Sequence, residues 1–210
     1  MKKMIEKLEP KIEKYFTSAS HGFDHTERVY TLAVKIAKDE KADLEIVQAA
    51  ALLHDVGRFK EELDESVCHA EESAKMAPEI LKSINFPKDK TDAVLHCIKV
   101  HRYSKGLKAE TKEAEIVQDA DRLDALGAIC IARIFLRGGA KKLPLHDPKI
   151  KPDEVYKSKT KTAFNHFYEK ILKLKPETFK TKTAKKIAEE RYKYTVDFIE
   201  RFKKEWNGEL

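Results

Sequence analysis

The sequence predicts an all-α fold in which helices surround one apolar core. Hydrophobic residues make up 41% and charged residues 37% of the 210 positions, with only 7 glycines and 7 prolines. This balance suits solvated helices better than short strands joined by tight turns. Apolar residues also recur at helical spacing in most of the long segments. A chain of this length fits one domain, so residues 1–210 are expected to form a single domain.

The first two predicted helices bring a histidine to a buried face. A short helix ends near Phe16, and the small polar stretch 17–20 that follows predicts a loop. The next helix covers residues 24–38, with Asp24 as its expected N-cap. One face of that helix carries residues at i, i+4, i+7 and i+11, namely His25, Val29, Leu32 and Ile36. His25 is therefore expected at the buried end of this face.

The third predicted helix, residues 44–55, is apolar nearly all round, as expected for a helix in the centre of a bundle. It brings His54 and Asp55 into the core at its end. Gly57 is consistent with a helix end at this point, and the charged residues after it predict a loop.

The remaining helices are predicted at about 67–84, 89–102, 113–135, 153–173 and 181–205. In the second of these, His101 shares a face with Val94 and Ile98 and is expected to point inward. The Gly138-Gly139 pair and the prolines after it predict an extended loop. A short connector containing Pro176 precedes the last helix.

Charge and cysteine content limit the classes of function. Lys and Arg number 42 against 36 Asp and Glu, a net charge of +6 that is spread along the chain. Without a recognition motif or aromatic residues among the basic ones, nucleic acid is not an expected partner. The three cysteines form no CxxC pair, which argues against disulfides and a thiolate zinc site. Because the N-terminal stretch has no long apolar run, we expect neither a signal peptide nor a membrane span, and a cytoplasmic location.

The apolar helices carry one histidine, an adjacent His-Asp pair and a distant aspartate. These side chains need a partner of opposite or compensating charge, because an unpaired buried charge is costly. A divalent cation satisfies all of them, since imidazole nitrogens and carboxylate oxygens suit Mn²⁺, Fe²⁺, Zn²⁺ or Mg²⁺.

The segments that carry these residues, HGFDHTERV, AALLHDVGR and VQDADRLDALGA, resemble the H…HD…D signature of the HD-domain phosphohydrolase superfamily. The run DADRLDALGAICIARIF, the Gly-Gly loop and NHFYEKILKLKPETFKTKTAKKIAEER resemble its YedJ/YpgQ-type subgroup. The resemblance covers about residues 20–205. It implies an HD core at about 20–136, on which the C-terminal helices at about 153–205 pack.

In that family the four signature positions bind a divalent metal, which implies His25, His54, Asp55 and Asp121 as the ligands here. Mn²⁺ is the preferred ion, with Mg²⁺, Fe²⁺, Zn²⁺, Co²⁺ and Ni²⁺ as alternatives. Asp121 is favoured over Asp119 because it shares a helical stripe with Val117 and Ala128 and lies in the Ala-Asp-x-Leu context of the family. Asp119 is interpreted as an exposed partner of Arg122 at i+3.

Further residues have two interpretations each. His69 and His101 lie where two-metal relatives hold a second ion and one-metal relatives contact substrate phosphate, but either could be a packed core histidine. Arg58 either binds phosphate through its planar guanidinium group or is a solvent-facing loop cation. Asp124 has a functional interpretation, in which it orients a ligand or accepts a proton, and a structural one, in which it forms a salt bridge within its helix. Lys170 either binds substrate or is simply solvated.

The resemblance implies hydrolysis of a nucleotide by a metal ion that activates water. The preferred activity is nucleoside triphosphate pyrophosphohydrolysis, which releases a monophosphate and pyrophosphate. Monophosphatase and two-metal phosphodiesterase activity are the enzymatic alternatives, and a non-catalytic nucleotide sensor is the alternative of another class. The segment Val56-Gly57-Arg58-Phe59 lacks the acidic residues of guanosine-tetraphosphate hydrolases, which counts against that substrate. A homodimer is left open.

Overall fold

The structure is a computed structural model that describes residues 2–16, 22–102, 105–155 and 159–210. All regular elements within these ranges are helical, which confirms the predicted all-α class. The predicted loop at 17–20 lies outside the described residues. None of the described helices is long and apolar enough to cross a membrane.

Ten α-helices follow one another in the described ranges: α1 (Lys2–Ile12), α2 (Phe23–Glu40), α3 (Leu44–Leu53), α4 (Arg58–Leu63), α5 (His69–Lys82), α6 (Lys88–Val100), α7 (Lys112–Asp124), α8 (Ala128–Ala140), α9 (Asn165–Glu169) and α10 (Lys182–Trp206). Short 3₁₀ turns lie at Glu13–Tyr15, Ile171–Lys173 and Pro176–Thr178. The chain divides into two compact units: Met1–Arg122 with Lys180–Ala184, and Leu123–Phe179 with Lys185–Leu210.

Helix α3 lies at the centre of the first unit. Its start is capped by Asp43, whose side chain accepts hydrogen bonds from the backbone N–H groups of Glu45 (2.9 Å) and Ile46 (3.3 Å). The helix contacts α1, α2, α5 and α6. Its apolar residues from Ala49 to Leu53 are fully buried. The helix therefore has the central position that its sequence, apolar on all sides, predicts.

Two predictions in the first unit are wrong in detail. Helix α2 begins at Phe23 after Gly22, so Asp24 lies in the first turn and pairs with Arg28 (2.7 Å) instead of capping the helix. The charged segment after Gly57, predicted as a loop, contains α4. Its charges are held by ion pairs, among them Lys60 to Glu72 of α5 (2.8 Å), which explains why a charged sequence is ordered here.

The helix predicted at 113–135 is interrupted, and its second half belongs to the second unit. Helix α7 ends at Asp124 and α8 begins after Gly127, whose φ of +82° is one that few other residues adopt. The Gly127 N–H donates to the Thr195 hydroxyl of α10 (2.9 Å). The Gly138-Gly139 pair, predicted to open a loop, lies inside α8.

In the described part of the helix predicted at 153–173, helical turns are limited to α9 and the 3₁₀ turn after it, and residues 156–158 lie outside the described residues. The backbone N–H groups of Ala163 and Phe164 donate to the carbonyls of Pro144 (2.9 Å) and Leu145 (3.0 Å), so this segment bonds to a distant loop and not along a helix. The last predicted helix is confirmed as α10. The core of this unit is aromatic, with the rings of Phe164 and Phe202 stacked at 4.3 Å between centroids.

Gly57→Ala is expected to lower the free energy of unfolding by about 1–3 kcal/mol, as for overpacking. An added Cβ at Gly57 would lie 2.5 Å from the Ser73 backbone nitrogen and 2.8 Å from the Glu72 carbonyl carbon. Urea unfolding followed by circular dichroism measures the change. Gly139→Ala is the control, because nothing lies within 4 Å of its added Cβ. Equal stability of the two variants would contradict this packing.

Candidate metal centre

Six residues from five helices or helix ends converge in the first unit. His25 lies in the first turn of α2, and His54 and Asp55 follow the end of α3. His69 begins α5, His101 directly follows α6, and Asp121 lies on α7. All are buried except Asp121, whose side chain is 28% exposed. The site is therefore nearly closed, with an opening on the Asp121 side.

The four predicted metal ligands lie around one point. His25 Nε2 is 3.4 Å from Asp121 Oδ1, 3.4 Å from His54 Nε2 and 3.9 Å from Asp55 Oδ2. His54 Nε2 is 3.7 Å from the same Asp55 oxygen. The structure thus brings together all four residues that the sequence singles out.

The two oxygens of Asp55 face different histidines. Oδ2 is directed to His25 and His54, whereas Oδ1 lies 3.4 Å from His69 Nε2 and 3.6 Å from His101 Nε2. The His69 and His101 Nε2 atoms are 3.3 Å apart. Asp55 therefore joins two groups of side chains, and the inward direction predicted for His101 is confirmed.

Hydrogen bonds fix the tautomers of several of these rings. His54 Nδ1 lies 2.8 Å from the Ala51 carbonyl oxygen, and His101 Nδ1 lies 2.7 Å from that of Ile98. A carbonyl only accepts, so Nδ1 donates in both rings and Nε2 carries a lone pair when the ring is neutral. These lone pairs point at carboxylate oxygens, an arrangement of acceptors that favours a cation between them.

Burial keeps two of the imidazoles neutral. It lowers the pKa of His54 to about 4, against the smaller opposing effect of the Asp55 charge. It also lowers the pKa of His69 to about 4. Burial by itself would raise the pKa of Asp55, but the Arg58 guanidinium beside it holds that pKa well below its usual range. Neutral imidazoles and ionised carboxylates are the forms that bind metals.

Arg58 forms a bidentate ion pair with Asp55. Its Nε donates to Oδ2 (2.6 Å) and its Nη2 to Oδ1 (3.1 Å), and the side chain is 22% exposed. The alternative of a solvent-facing loop cation is therefore wrong. The contact of Arg58 with substrate phosphate stays a prediction.

Two groups of three residues in the described part of the chain could hold a metal ion, because their ligand atoms lie within 4.8 Å of one another. The first group is His25, His54 and Asp121. The second is His54, Asp55 and His101. Both groups consist of imidazole nitrogens and carboxylate oxygens. These donors suit borderline divalent cations such as Mn²⁺, Fe²⁺ and Zn²⁺. The residues present therefore fit a divalent metal.

Two residues at the site were not predicted. One carboxylate oxygen of Glu61 contacts His69 Nδ1, and the other accepts from Arg102 Nη1 (2.7 Å). Glu61 also lies 3.6 Å from Arg58 Nη1. The spacing of Arg58 and Glu61 at i, i+3 was a usable signal, but only once a helix was assigned to this segment.

Asp119 has a different environment from the exposed one expected. It is fully buried and accepts hydrogen bonds from the backbone N–H groups of Lys180 (2.9 Å) and Thr181 (2.8 Å) and from the Thr181 hydroxyl (3.0 Å). Its pairing with Arg122 is present, at 3.6 Å. The two aspartates have different partners, as their separate stripes predict, but Asp119 is the more buried of the two, so its expected exposed position is wrong.

Two other candidate residues belong to the second unit. Asp124, the last residue of α7, is buried and accepts a hydrogen bond from Arg133 of α8 (2.6 Å). This salt bridge links α7 and α8, so the predicted salt bridge within a single helix is wrong in its partner. Lys170 is exposed at the end of α9. Their roles in ligand orientation and substrate binding stay predictions.

The chain was compared with known proteins. A family model described as HD domain matches residues 22–126. The uncharacterized protein YpgQ of Bacillus subtilis (strain 168) is 35% identical over 212 residues, which cover 98% of this chain and 95% of that protein.

Solved structures of similar proteins agree with this match. An HD-superfamily hydrolase from Bacillus thuringiensis is 37% identical, with a TM-score of 0.76 over 98% of this chain and 97% of that one. Bacillus subtilis YpgQ in complex with ADP is 32% identical, with a TM-score of 0.74 over 97% of this chain and 95% of that one.

The metal-free protein is expected to lose stability between pH 7 and 5. An unfolded histidine takes up a proton near pH 6.5, whereas His54 and His69 stay neutral in the folded state down to about pH 4. Acid therefore favours the unfolded state in this window, by about 2 kcal/mol per histidine at pH 5. Urea unfolding in a chelating buffer at both pH values measures the loss.

His54→Gln and His69→Gln are the control variants, because glutamine does not titrate. Each should reduce the loss of stability between pH 7 and 5 by about 2 kcal/mol, whatever its effect at pH 7. An unchanged loss in both variants would show that these imidazoles are not the neutral, buried groups described above.

Proposed function

The chain belongs to the HD-domain family of metal-dependent phosphohydrolases, and from this membership we propose that its substrate is a nucleoside triphosphate, which it cleaves to a monophosphate and pyrophosphate. The resemblance of the sequence to this family, and the HD-type helical fold that it implied, are confirmed. The observation that carries the proposal is the convergence of His25, His54, Asp55 and Asp121 on one point.

We propose these four residues as the metal ligands and Mn²⁺ as the ion. The bound ion supplies Lewis acidity, which activates water and neutralises a phosphate oxygen. The chain's own part is to hold the ligands in their charged or neutral binding forms. Asp55 and Asp121 do so with lowered pKa values, and His54 does so because burial keeps it neutral.

The substrate's phosphates would be bound by two arginines at this site. Arg58 and Arg102 have side chains 22% and 28% exposed, and carboxylates hold both guanidiniums at the site. Guanidinium groups only donate, and they bind pairs of phosphate oxygens well. In the transition state the same donors offset the charge that develops on the transferred group.

A nucleotide is supported as the substrate by the relative YpgQ, which was crystallised in complex with ADP. The triphosphate and the release of pyrophosphate rest on the resemblance of the sequence to the YpgQ-type subgroup. A cytoplasmic location is part of the same proposal, since nucleotides are plentiful there.

Incubation of the purified protein with Mn²⁺ and a panel of nucleoside mono-, di- and triphosphates tests the proposal. ³¹P NMR should show pyrophosphate and a monophosphate from triphosphates. Orthophosphate released from monophosphates would indicate a phosphatase instead. Tight nucleotide binding without any turnover would indicate a sensor and contradict the enzymatic proposal.

Asp121→Asn and Asp119→Asn form a matched pair for this experiment. Asp121→Asn should abolish turnover and weaken Mn²⁺ binding by at least about tenfold while the fold is retained, because a ligand charge is lost. Asp119→Asn should retain Mn²⁺ binding and lower the free energy of unfolding by about 1–3 kcal/mol, because buried N–H groups lose a charged acceptor. The reverse result would assign Asp119 as the ligand.

A second candidate, a two-metal phosphodiesterase, is favoured by the contacts of His69 and His101 with the second oxygen of Asp55. If this group holds an ion, two Mn²⁺ should bind each chain, and His101→Gln should leave one. Elemental analysis after dialysis against Mn²⁺ counts them. If wild type and His101→Gln each bind one ion, the two-metal candidate fails, and contact with substrate phosphate is the remaining role for His69 and His101.

A further inference from the structure

Glu61 makes two contacts at the site that the proposed function does not use. Its side chain, 18% exposed, extends from α4 between His69 and Arg102. One carboxylate oxygen contacts His69 Nδ1, and the other accepts from Arg102 Nη1 (2.7 Å). A carboxylate that binds two functional side chains at once can fix the position of both.

The contacts of His69 determine which of its nitrogens carries the proton. Arg58 Nη2 lies 3.1 Å from His69 Nε2. The Glu61 carboxylate beside Nδ1 only accepts, so the ring proton of neutral His69 lies on Nδ1, and Nε2 can accept from the Arg58 guanidinium. That proton is donated to Glu61. The Nε2 atom also lies 3.4 Å from Asp55 Oδ1 and 3.3 Å from His101 Nε2.

Arg102 depends on Glu61 in the same way. It follows His101 directly. Its Nη1 atom lies 2.7 Å from Glu61, closer than the 3.5 Å to His69 Nδ1 and the 3.9 Å to Cys68 Sγ. The ion pair therefore keeps a guanidinium beside His69 while part of its side chain remains exposed.

We propose that Glu61 is a positioning residue, whose carboxylate fixes the Nδ1–H tautomer of His69 with one oxygen and holds the Arg102 guanidinium for substrate phosphate with the other. The part that concerns Arg102 rests on the proposed function. The part that concerns His69 does not, because it is a property of the metal-free protein.

The tautomer of His69 is measured by ¹H–¹⁵N NMR of the histidine rings in the metal-free protein, with His69→Gln to assign the signals. Wild type should show the Nδ1–H form. Glu61→Ala removes the acceptor at Nδ1, so His69 should shift towards the Nε2–H form, which imidazoles favour in water and which can donate to Asp55 Oδ1 3.4 Å away. Glu61→Gln should keep the Nδ1–H form, because its amide oxygen still accepts. Retention of the Nδ1–H form in Glu61→Ala would overturn the proposal.

Kinetics with Mn²⁺ and a nucleoside triphosphate test the contact with Arg102. Both Glu61→Ala and Glu61→Gln lose the ion pair, so kcat/KM should fall by about 10- to 100-fold in each. Glu62→Gln, an exposed neighbour on α4, is the control and should match wild type. Equal kcat/KM in Glu61→Gln and the control would overturn the Arg102 part. If wild type turns over no nucleotide, the proposed function fails, and the NMR result still decides the role of Glu61.

Discussion

The ionised carboxylate of Asp55, 1% exposed at the end of the central helix, is the group around which the first unit is organised. A buried charge of this kind is stable only with several partners. Arg58 supplies a guanidinium from the start of α4, and four helices or helix ends bring imidazole rings to the two oxygens. Because this carboxylate needs these partners, the helix ends must meet around it. The candidate metal ligands therefore lie in the buried core of the unit.

Much of this site follows from local sequence patterns. His25 and His101 lie on the apolar stripes of amphipathic helices, and the all-round apolar sequence of α3 fixes the burial of His54 and Asp55. Periodicity also places Asp121 and Asp119 on different stripes of α7, although it does not predict that Asp119 is buried. These inferences need only the geometry of a helix and the cost of exposing apolar surface, and both act within one segment of the chain.

The features that sequence reasoning missed depend on distant partners. Asp119 is buried because backbone N–H groups some 60 positions later bind it. The break between α7 and α8 combines a positive φ at Gly127 with a bond to Thr195. In the described part of the helix expected at 153–173, the N–H groups of Ala163 and Phe164 bond to the carbonyls of Pro144 and Leu145 and not along a helix. None of these partners can be read from a local window, because each appears only after the chain has folded.

Charge balance links metal and substrate at this site. Asp55, Asp121 and Glu61 have lowered pKa values and are ionised at neutral pH, whereas His54 and His69 are neutral. When the histidines are in the neutral form that binds metal, the three carboxylates exceed the two guanidiniums of Arg58 and Arg102 by one negative charge. That excess disfavours a polyphosphate and favours a divalent cation, whose two charges reverse the sign of the site. Because the cation and the anionic substrate then attract each other, the binding of each strengthens the binding of the other.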